Sequence, residues 1–347
     1  KTNNLRTNNT KTPKDNSLHL PEGLLFSFEL VSEDLIKVDE FIREQAKSFD
    51  PGVEGYVSYV CDISGKRIRP ALALLAGGST GEITNKHLEI GSVVELVHLA
   101  TLIHDDIMDD AKIRREMPTV SAKWGSSLSV LLGDCLFARA LELATTFEDP
   151  EICRSVANAA SAVCQGEILQ SQRRFDLTLT REEYFHMIKS KTGALFAVST
   201  ELGARLSGAS KEIQNQLHDF GMKVGTAYQI YDDCVDLIGK EENAGKTLGT
   251  DLTKGKLTLP VLNLIASGTE TQRKKLNERL LLKEPIDVNT LAGIADYDGA
   301  IQRAVLTGKE ILSQAREHLK DLEDSSHQKG LVHITNYLET LFDNCNC

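Results

Sequence analysis

KHLEIGSVVELVHLATLIHDDIMDD, residues 86–110, is the stretch that decides the fold class. Leu88, Ile90, Val93, Val94, Leu96, Val97, Leu99, Leu102 and Ile103 put apolar side chains on nearly every face of a helix. A helix apolar all round belongs at the centre of a protein, surrounded by other helices. Yet its far end is acidic, with Asp105, Asp106, Asp109 and Asp110. A buried helix that ends in carboxylates points to a site as well as a core.

Helical periodicity continues on both sides. Ser32, followed by Glu33 and Asp34, reads as a cap and acidic first turn ahead of Leu35, Val38, Phe41 and Ile42. Residues 65–77 carry a second apolar stripe, Ile68, Ala71, Leu72 and Leu75. Further helices are expected near 119–147, 151–173, 181–208, 210–239, 258–267, 271–282, 298–323 and 328–342. Thr180 with Glu183 forms a capping-box signature, and Asp149-Pro150 marks a break. No sustained strand alternation and no fixed repeat appears. The expectation is an all-α protein: one large helical domain over 23–347, after a disordered tail, 1–22, rich in Asn, Thr and Lys.

Composition narrows the partners. The 347 residues carry 39 Lys and Arg against 50 Asp and Glu, a net charge of −11, with 5% aromatics. Such a chain is a poor nucleic-acid binder. Seven scattered cysteines without metal-type pairing read as reduced thiols in a cytoplasmic protein. The closing Cys345-Asn346-Cys347 reads as a frayed end. No apolar run reaches the ~18 residues of a membrane span.

The chemistry sits in two Asp-Asp-x-x-Asp clusters, Asp105-Asp106-x-x-Asp109 and Asp232-Asp233-x-x-Asp236. On a helix, positions i and i+4 share a face, so Asp105 aligns with Asp109 and Asp232 with Asp236. Like charges beside apolar stretches repel, and desolvation worsens the repulsion, so they call for a cation. An all-oxygen donor set favours magnesium, which fills its shell with water and phosphate oxygens. Two such clusters facing each other would hold a diphosphate between them.

Basic residues supply the counter-charge. Lys66 and Arg69, in Gly65-Lys66-Arg67-Ile68-Arg69-Pro70, are read as opening a helix and sharing its face. Arg114 and Arg115 follow the first cluster. Lys191-Thr192-Gly193 interrupts a helix, and Lys246, Lys254 and Lys256 lie in a Gly-rich segment after the second cluster. His98 lies about 10 Å before Asp105 on the same face, and Gln229 shares a face with Asp232.

These motifs, in this order from about residue 25 to near the C-terminus, resemble the trans-isoprenyl diphosphate synthases, or polyprenyl synthetase family. The resemblance rests on 65–70, on Glu95-Leu96-Val97-His98 leading to Asp105-Asp106, on Arg114-Arg115, and on Gly133-Asp134. It rests further on Lys191-Thr192-Gly193, on Gln229 with the second cluster, and on Gly245-Lys246 through Gly249-x-Asp251 to Gly255-Lys256-x-Thr258-Leu259-Pro260. It implies an all-α bundle around a deep central cavity, a homodimer, and a magnesium-dependent prenyltransferase with three ions per site, Mn2+ being able to substitute. By the same resemblance Asp105, Asp109, Asp232 and Asp236 bind the metal, supported by Asp106 and Asp233. Arg114, Lys191, Thr192, Gln229, Lys246 and Lys256 hold the allylic diphosphate; Lys66, Arg69, His98 and Arg115 hold isopentenyl diphosphate. The long product gives a loose membrane association.

Product length is set in this family below the first cluster. One turn before Asp105 lie Ala100 and Thr101, and one turn deeper Leu96 and Val97. Short-chain relatives often carry an aromatic at the first level; Ala100 leaves that floor out. The expectation is a C30–C50 product, with C40 the single best value, unless Leu131, Leu132 or Phe137 closes the tunnel and keeps it at C15–C20. A class I terpene cyclase is disfavoured by the full second Asp cluster, and a non-catalytic partner subunit by the retention of every motif. Many relatives end in a basic tail. Here Leu341 to Cys347 carries only Asp343 as a charged side chain, which puts tail closure in doubt.

Overall fold

Thr84 starts the central helix. Its backbone N–H donates to His87 Nδ1 at 3.0 Å, which leaves the proton of the neutral ring on Nε2. That nitrogen reaches Gly203 O at 3.0 Å and Ser207 Oγ at 2.9 Å, pinning the start of the helix to a distant one. The computed structural model describes residues 24–63, 65–238, 250–284, 286 and 288–345. The expected tail 1–22, Gly245, Lys246, Gly249 and Cys347 lie outside these residues.

The described chain runs α1 (Leu25–Glu29), α2 (Ser32–Gln45), α3 (Pro51–Asp62), α4 (Ile68–Thr80) and α5 (Asn85–Met108). A two-strand ribbon follows, β1 (Ile113–Arg114) with β2 (Met117–Pro118). Next come α6 (Val120–Trp124), α7 (Ser126–Ala144), α8 (Pro150–Gln172), α9 (Arg181–Ile188), α10 (Ala194–Leu206) and α11 (Lys211–Ile238). The last are α12 (Thr250–Thr253), α13 (Leu259–Ser267), α14 (Glu270–Leu281), α15 (Val288–Ala292), α16 (Tyr297–Glu317) and α17 (Ser326–Asp343).

The fold is all-α. Helices α4, α5, α10 and α11 form its centre, α10 packing against the other three. Helix α7 covers α5, α16 covers α11, and α17 covers α4. Leu72, Leu75, Ile90, Val94, Leu96, Leu202, Phe220 and Ile230 are fully buried. Among the described residues no helix is long and apolar enough to cross a membrane.

Most helix starts follow their signals. Asp149 accepts the N–H of Glu151 at 3.0 Å ahead of Pro150, and Thr180 and Glu183 form the expected reciprocal box, at 3.2 and 2.8 Å. Ser32 is a correction: its hydroxyl donates back to Glu29 O at 3.0 Å, and Val31 takes the cap position. The helix expected over 119–147 is two, because Gly125 adopts φ 87°, a left-handed turn that side chains resist. Helix α4 begins at Ile68, after Arg67 in the left-handed region at φ 51°. Lys66 therefore precedes the helix and shares no helical face with Arg69.

Candidate active site

The first acidic row straddles a helix end. Asp105 is in the last turn of α5, and Asp109 is its C-cap, donating its N–H to Asp105 O at 2.8 Å. Both line one pocket with Met108, Glu167, Gln170, Arg174, Lys191 and Lys256. Asp106 pairs instead with Arg114, through Nε at 2.9 Å and Nη2 at 2.7 Å. The β1–β2 ribbon places Arg114. Its two-residue turn, Arg115-Glu116, has φ of 51° and 63°, the paired positive values of a type I′ turn. Neither residue is the Gly or Asn such turns prefer, so the sequence gives no sign of it.

The second row lies on α11. Asp233 is buried, accepting from Tyr184 Oη at 2.6 Å and from Gln229 Nε2 at 2.8 Å. Gln229 Oε1 in turn accepts from Thr192 Oγ1 at 2.7 Å. Asp236, also buried, accepts the backbone N–H of Asp251 at 3.1 Å. The Asp251 carboxylate lies 3.5 Å from Lys256, which donates to Asp109 Oδ2 at 3.1 Å. A continuous path of contacts thus runs from Asp109 through Lys256 and Asp251 to Asp236, joining the two rows.

Lys191 stands between them, on a π turn, Lys189–Gly193, that separates α9 from α10. Wide turns of this kind recur at functional sites. Gly166 makes room for it, since a Cβ there would sit 2.5 Å from the backbone nitrogen of Lys191. The ammonium bonds Gln170 Oε1 at 2.9 Å and pairs with Glu167 at 3.1 Å. Burial works against its charge, but Glu167, Asp105, Asp251 and Asp233 together outweigh burial and hold the proton more tightly than usual. Burial, then Glu167, pushes Asp105 up to about 7 against the pull of Lys191 and Arg114. Burial and Asp251 do the same to Asp233, up to about 7, despite its two donors.

Beside the rows lies a cationic wall. The Arg69 guanidinium stacks over Phe196, 4.7 Å from the ring centre, and its Nε is buried without a hydrogen-bond partner. The Arg115 guanidinium packs on Gly65, where a Cβ would lie 2.4 Å from Nη1. Burial, reinforced by Arg69, Arg115, Arg114 and Arg67, holds His98 well below the usual histidine range, so its ring is neutral. Burial lowers the Lys66 ammonium too; Asp232 opposes this and Arg115 adds to it. The structure therefore gathers Lys66, Arg69, His98 and Arg115. Arg67 holds the αL turn beneath them, buried and paired with Asp39 at 2.5 Å and Glu95 at 2.7 Å.

Leu96, Val97 and Ala100 are fully buried; Thr101 is nearly so, donating to His98 O at 2.7 Å. Leu131 is 62% exposed and so does not close an internal tunnel. Leu132 is buried, and the Phe137 ring meets that of His104 at 5.8 Å. Sequence reading missed Glu167, Gln170, Arg174, Tyr184 and Asp251 as members of the site. Glu167 and Gln170 left a signal, a polar i, i+3 pair next to Gly166, and Asp251 stood inside a quoted motif without being given a role.

The donors suit a hard divalent cation. Asp109 Oδ1 is buried without a hydrogen-bond partner, and Asp105 is undercompensated, as its raised proton affinity records. Among the described residues no three Asp, Glu, His or Cys side chains form a ready cage. An ion held here takes much of its shell from water and substrate, the habit of magnesium.

Comparison with known proteins agrees. The polyprenyl synthetase family model matches residues 50–297. Octaprenyl diphosphate synthase of Escherichia coli is 33% identical over 316 residues, 88% of this chain and 96% of that protein. A short chain isoprenyl diphosphate synthase of Methanothermobacter thermautotrophicus is 33% identical over 311 residues, 86% of this chain and 94% of that one. The crystal structure of a Caulobacter crescentus polyprenyl synthase, complexed with calcium and isoprenyl diphosphate, superposes with a TM-score of 0.85 at 28% identity, covering 91% of this chain and 97% of that one. With two aspartate rows joined by a path of contacts and this degree of similarity, the chain belongs to the polyprenyl synthetase family of prenyltransferases.

Proposed function

We propose that this protein is an all-trans polyprenyl diphosphate synthase that condenses isopentenyl diphosphate with an allylic diphosphate of the farnesyl or geranylgeranyl type. The observation that carries the reading is the Asp109–Lys256–Asp251–Asp236 path, which links both acidic rows beside a separate cationic wall.

Asp105, Asp109, Asp232 and Asp236 would hold magnesium ions, three per site with Mn2+ able to substitute; bound there, the metal neutralises charge developing on the leaving diphosphate. Lys191, Lys256, Thr192, Gln229, Lys246 and the remaining donors of Arg114 hold the allylic diphosphate. Lys66, Arg69 and Arg115 hold isopentenyl diphosphate, and neutral His98 donates its one N–H. The allylic C1–O bond breaks, a C1–C4 bond forms, and a proton leaves C2 of the isopentenyl unit for the departed diphosphate. The products are inorganic diphosphate and a chain five carbons longer. Carbonyls of the Lys189–Gly193 π turn would stabilise the transient cation, which needs electron-rich neighbours and no nucleophile.

The product is long, C30–C50 and best placed at C40, because Ala100 offers no aromatic floor one turn below Asp105. The working form is a cytoplasmic homodimer, loosely membrane-associated through its product. Val130 and Leu131 on α7 and Ile168 on the adjoining α8 are the exposed apolar side chains that favour a dimer. The test is incubation with farnesyl diphosphate, isopentenyl diphosphate and magnesium, followed by chromatographic sizing. Products of C30 and longer are expected; nothing beyond C20 overturns the length, and no product overturns the reaction.

A further inference from the structure

Asp109 has more cations than one carboxylate needs. Lys256 lies 3.1 Å from its Oδ2, while Lys254 at 3.4 Å and Arg174 at 3.6 Å both approach Oδ1. Even so, Oδ1 makes no hydrogen bond, and the Nε of Arg174 is likewise buried without a hydrogen-bond partner. Among the described residues Lys254 and Arg174 have no other ion-pair partner. Both are close to Asp109 without being committed to it.

Their placement is built in. Phe175, next to Arg174, adopts φ 59° and donates its N–H to Gly255 O at 2.8 Å. Gly255 adopts φ 76°, and a Cβ there would lie 2.4 Å from the Phe175 ring. The turn that carries Arg174 is therefore docked on the segment that carries Lys254 and Lys256, and all three charges share one wall. Arg174 also lines the pocket with Asp105, Lys191 and Lys256.

We propose that Arg174 and Lys254 exchange anions during the reaction: they neutralise Asp109 while no divalent cation occupies it, and they pass to the diphosphate once one does. A divalent ion on Asp109 repels an ammonium and a guanidinium within 4 Å, and the diphosphate is the nearest new anion. Arginine meets it with a fork and lysine with a point charge. This rests on the synthase reading and adds two diphosphate contacts: Lys254, which the sequence offered only as a general counter-charge, and Arg174, which it did not single out.

The test uses Arg174→Gln and Lys254→Gln in the full chain and two titrations that need no turnover. Mn2+ alone, followed by the paramagnetic resonance of the free ion, should bind each variant about threefold or more tighter, since a competing charge is gone. Inorganic diphosphate at saturating Mn2+, followed by calorimetry, should bind about tenfold weaker. Arg174→Lys, which keeps the charge and loses the fork, should leave Mn2+ affinity unchanged and still weaken diphosphate. Opposite signs are the signature. No change in either titration, or weakening in both, overturns the proposal. Opposite-signed shifts in the variants, with a wild-type chain that forms no prenyl product, would instead sink the synthase reading and leave this exchange standing.

Discussion

The hydroxyl of Tyr184 on α9 donates to Asp233 Oδ2 on α11 at 2.6 Å, inside the core. The bond begins a relay. Asp233 accepts from Gln229, and Gln229 accepts from Thr192 on the π turn. With its proton donated to Gln229, the Thr192 hydroxyl turns lone pairs elsewhere, toward any cation at the turn. Tyr184→Phe leaves a buried carboxylate oxygen unpaired, which costs about 1–3 kcal/mol. It should lower the melting temperature and reduce kcat about tenfold, with the KM for isopentenyl diphosphate unchanged. A variant with wild-type kcat would show that the relay is structural only.

The two rows should respond differently to neutralisation. Asp105→Asn and Asp236→Asn should each lower turnover by about 10²-fold or more, as the loss of an electrostatic contact to the transition state implies. Stability should separate the two variants. Asp105 is held against its own charge by burial and Glu167, so Asp105→Asn should raise the melting temperature of the metal-free protein. Asp236 receives the Asp251 N–H, and its replacement should not raise it. Near-wild-type rates in either variant would contradict the assigned roles.

Proton release should accompany metal loading near neutrality. Asp105 and Asp233 are both pushed up to about 7 in the metal-free protein. A carboxylate must be ionised to serve the metal, so binding expels the proton it carries. The sign follows: metal affinity rises as pH rises through 7 and levels off above about 8. Calorimetry of Mn2+ alone in buffers of different ionisation enthalpy should detect release at pH 6.5 and none at pH 9. Release that does not vary over this range would mean that neither carboxylate titrates there.

The central helix and both aspartate rows were legible because each depends on local spacing: 3.6-residue periodicity for the core, i and i+4 for the carboxylates. What stayed hidden depends on contacts between distant segments. Tyr184 and Asp233 are 49 positions apart, and Lys256 and Asp109 are 147 apart. Nothing near Tyr184 distinguishes it from a core aromatic. Local misreadings had local causes. Gly125 broke a helix because its backbone turns left-handed, and Arg67 did the same to the start of α4 because Asp39 and Glu95 hold it there.

Ala100→Phe tests product length and packing together. Ala100 is fully buried on α5, the helix that α7 covers. If its Cβ borders the space that receives the growing chain, a phenyl ring fills that space, leaves the melting temperature within a few degrees, and shortens the product to C20 or less. If it packs only against protein, the added volume overpacks the core at a cost of about 1–3 kcal/mol, and the product distribution stays as in the wild type. Melting temperature and product sizing on one preparation separate the cases, since each predicts a change in one measurement and constancy in the other. Thr101→Phe is the control. Its hydroxyl is already bound to His98 O, so losing that bond should disturb the isopentenyl site and raise the KM for isopentenyl diphosphate, a shift Ala100→Phe should not produce.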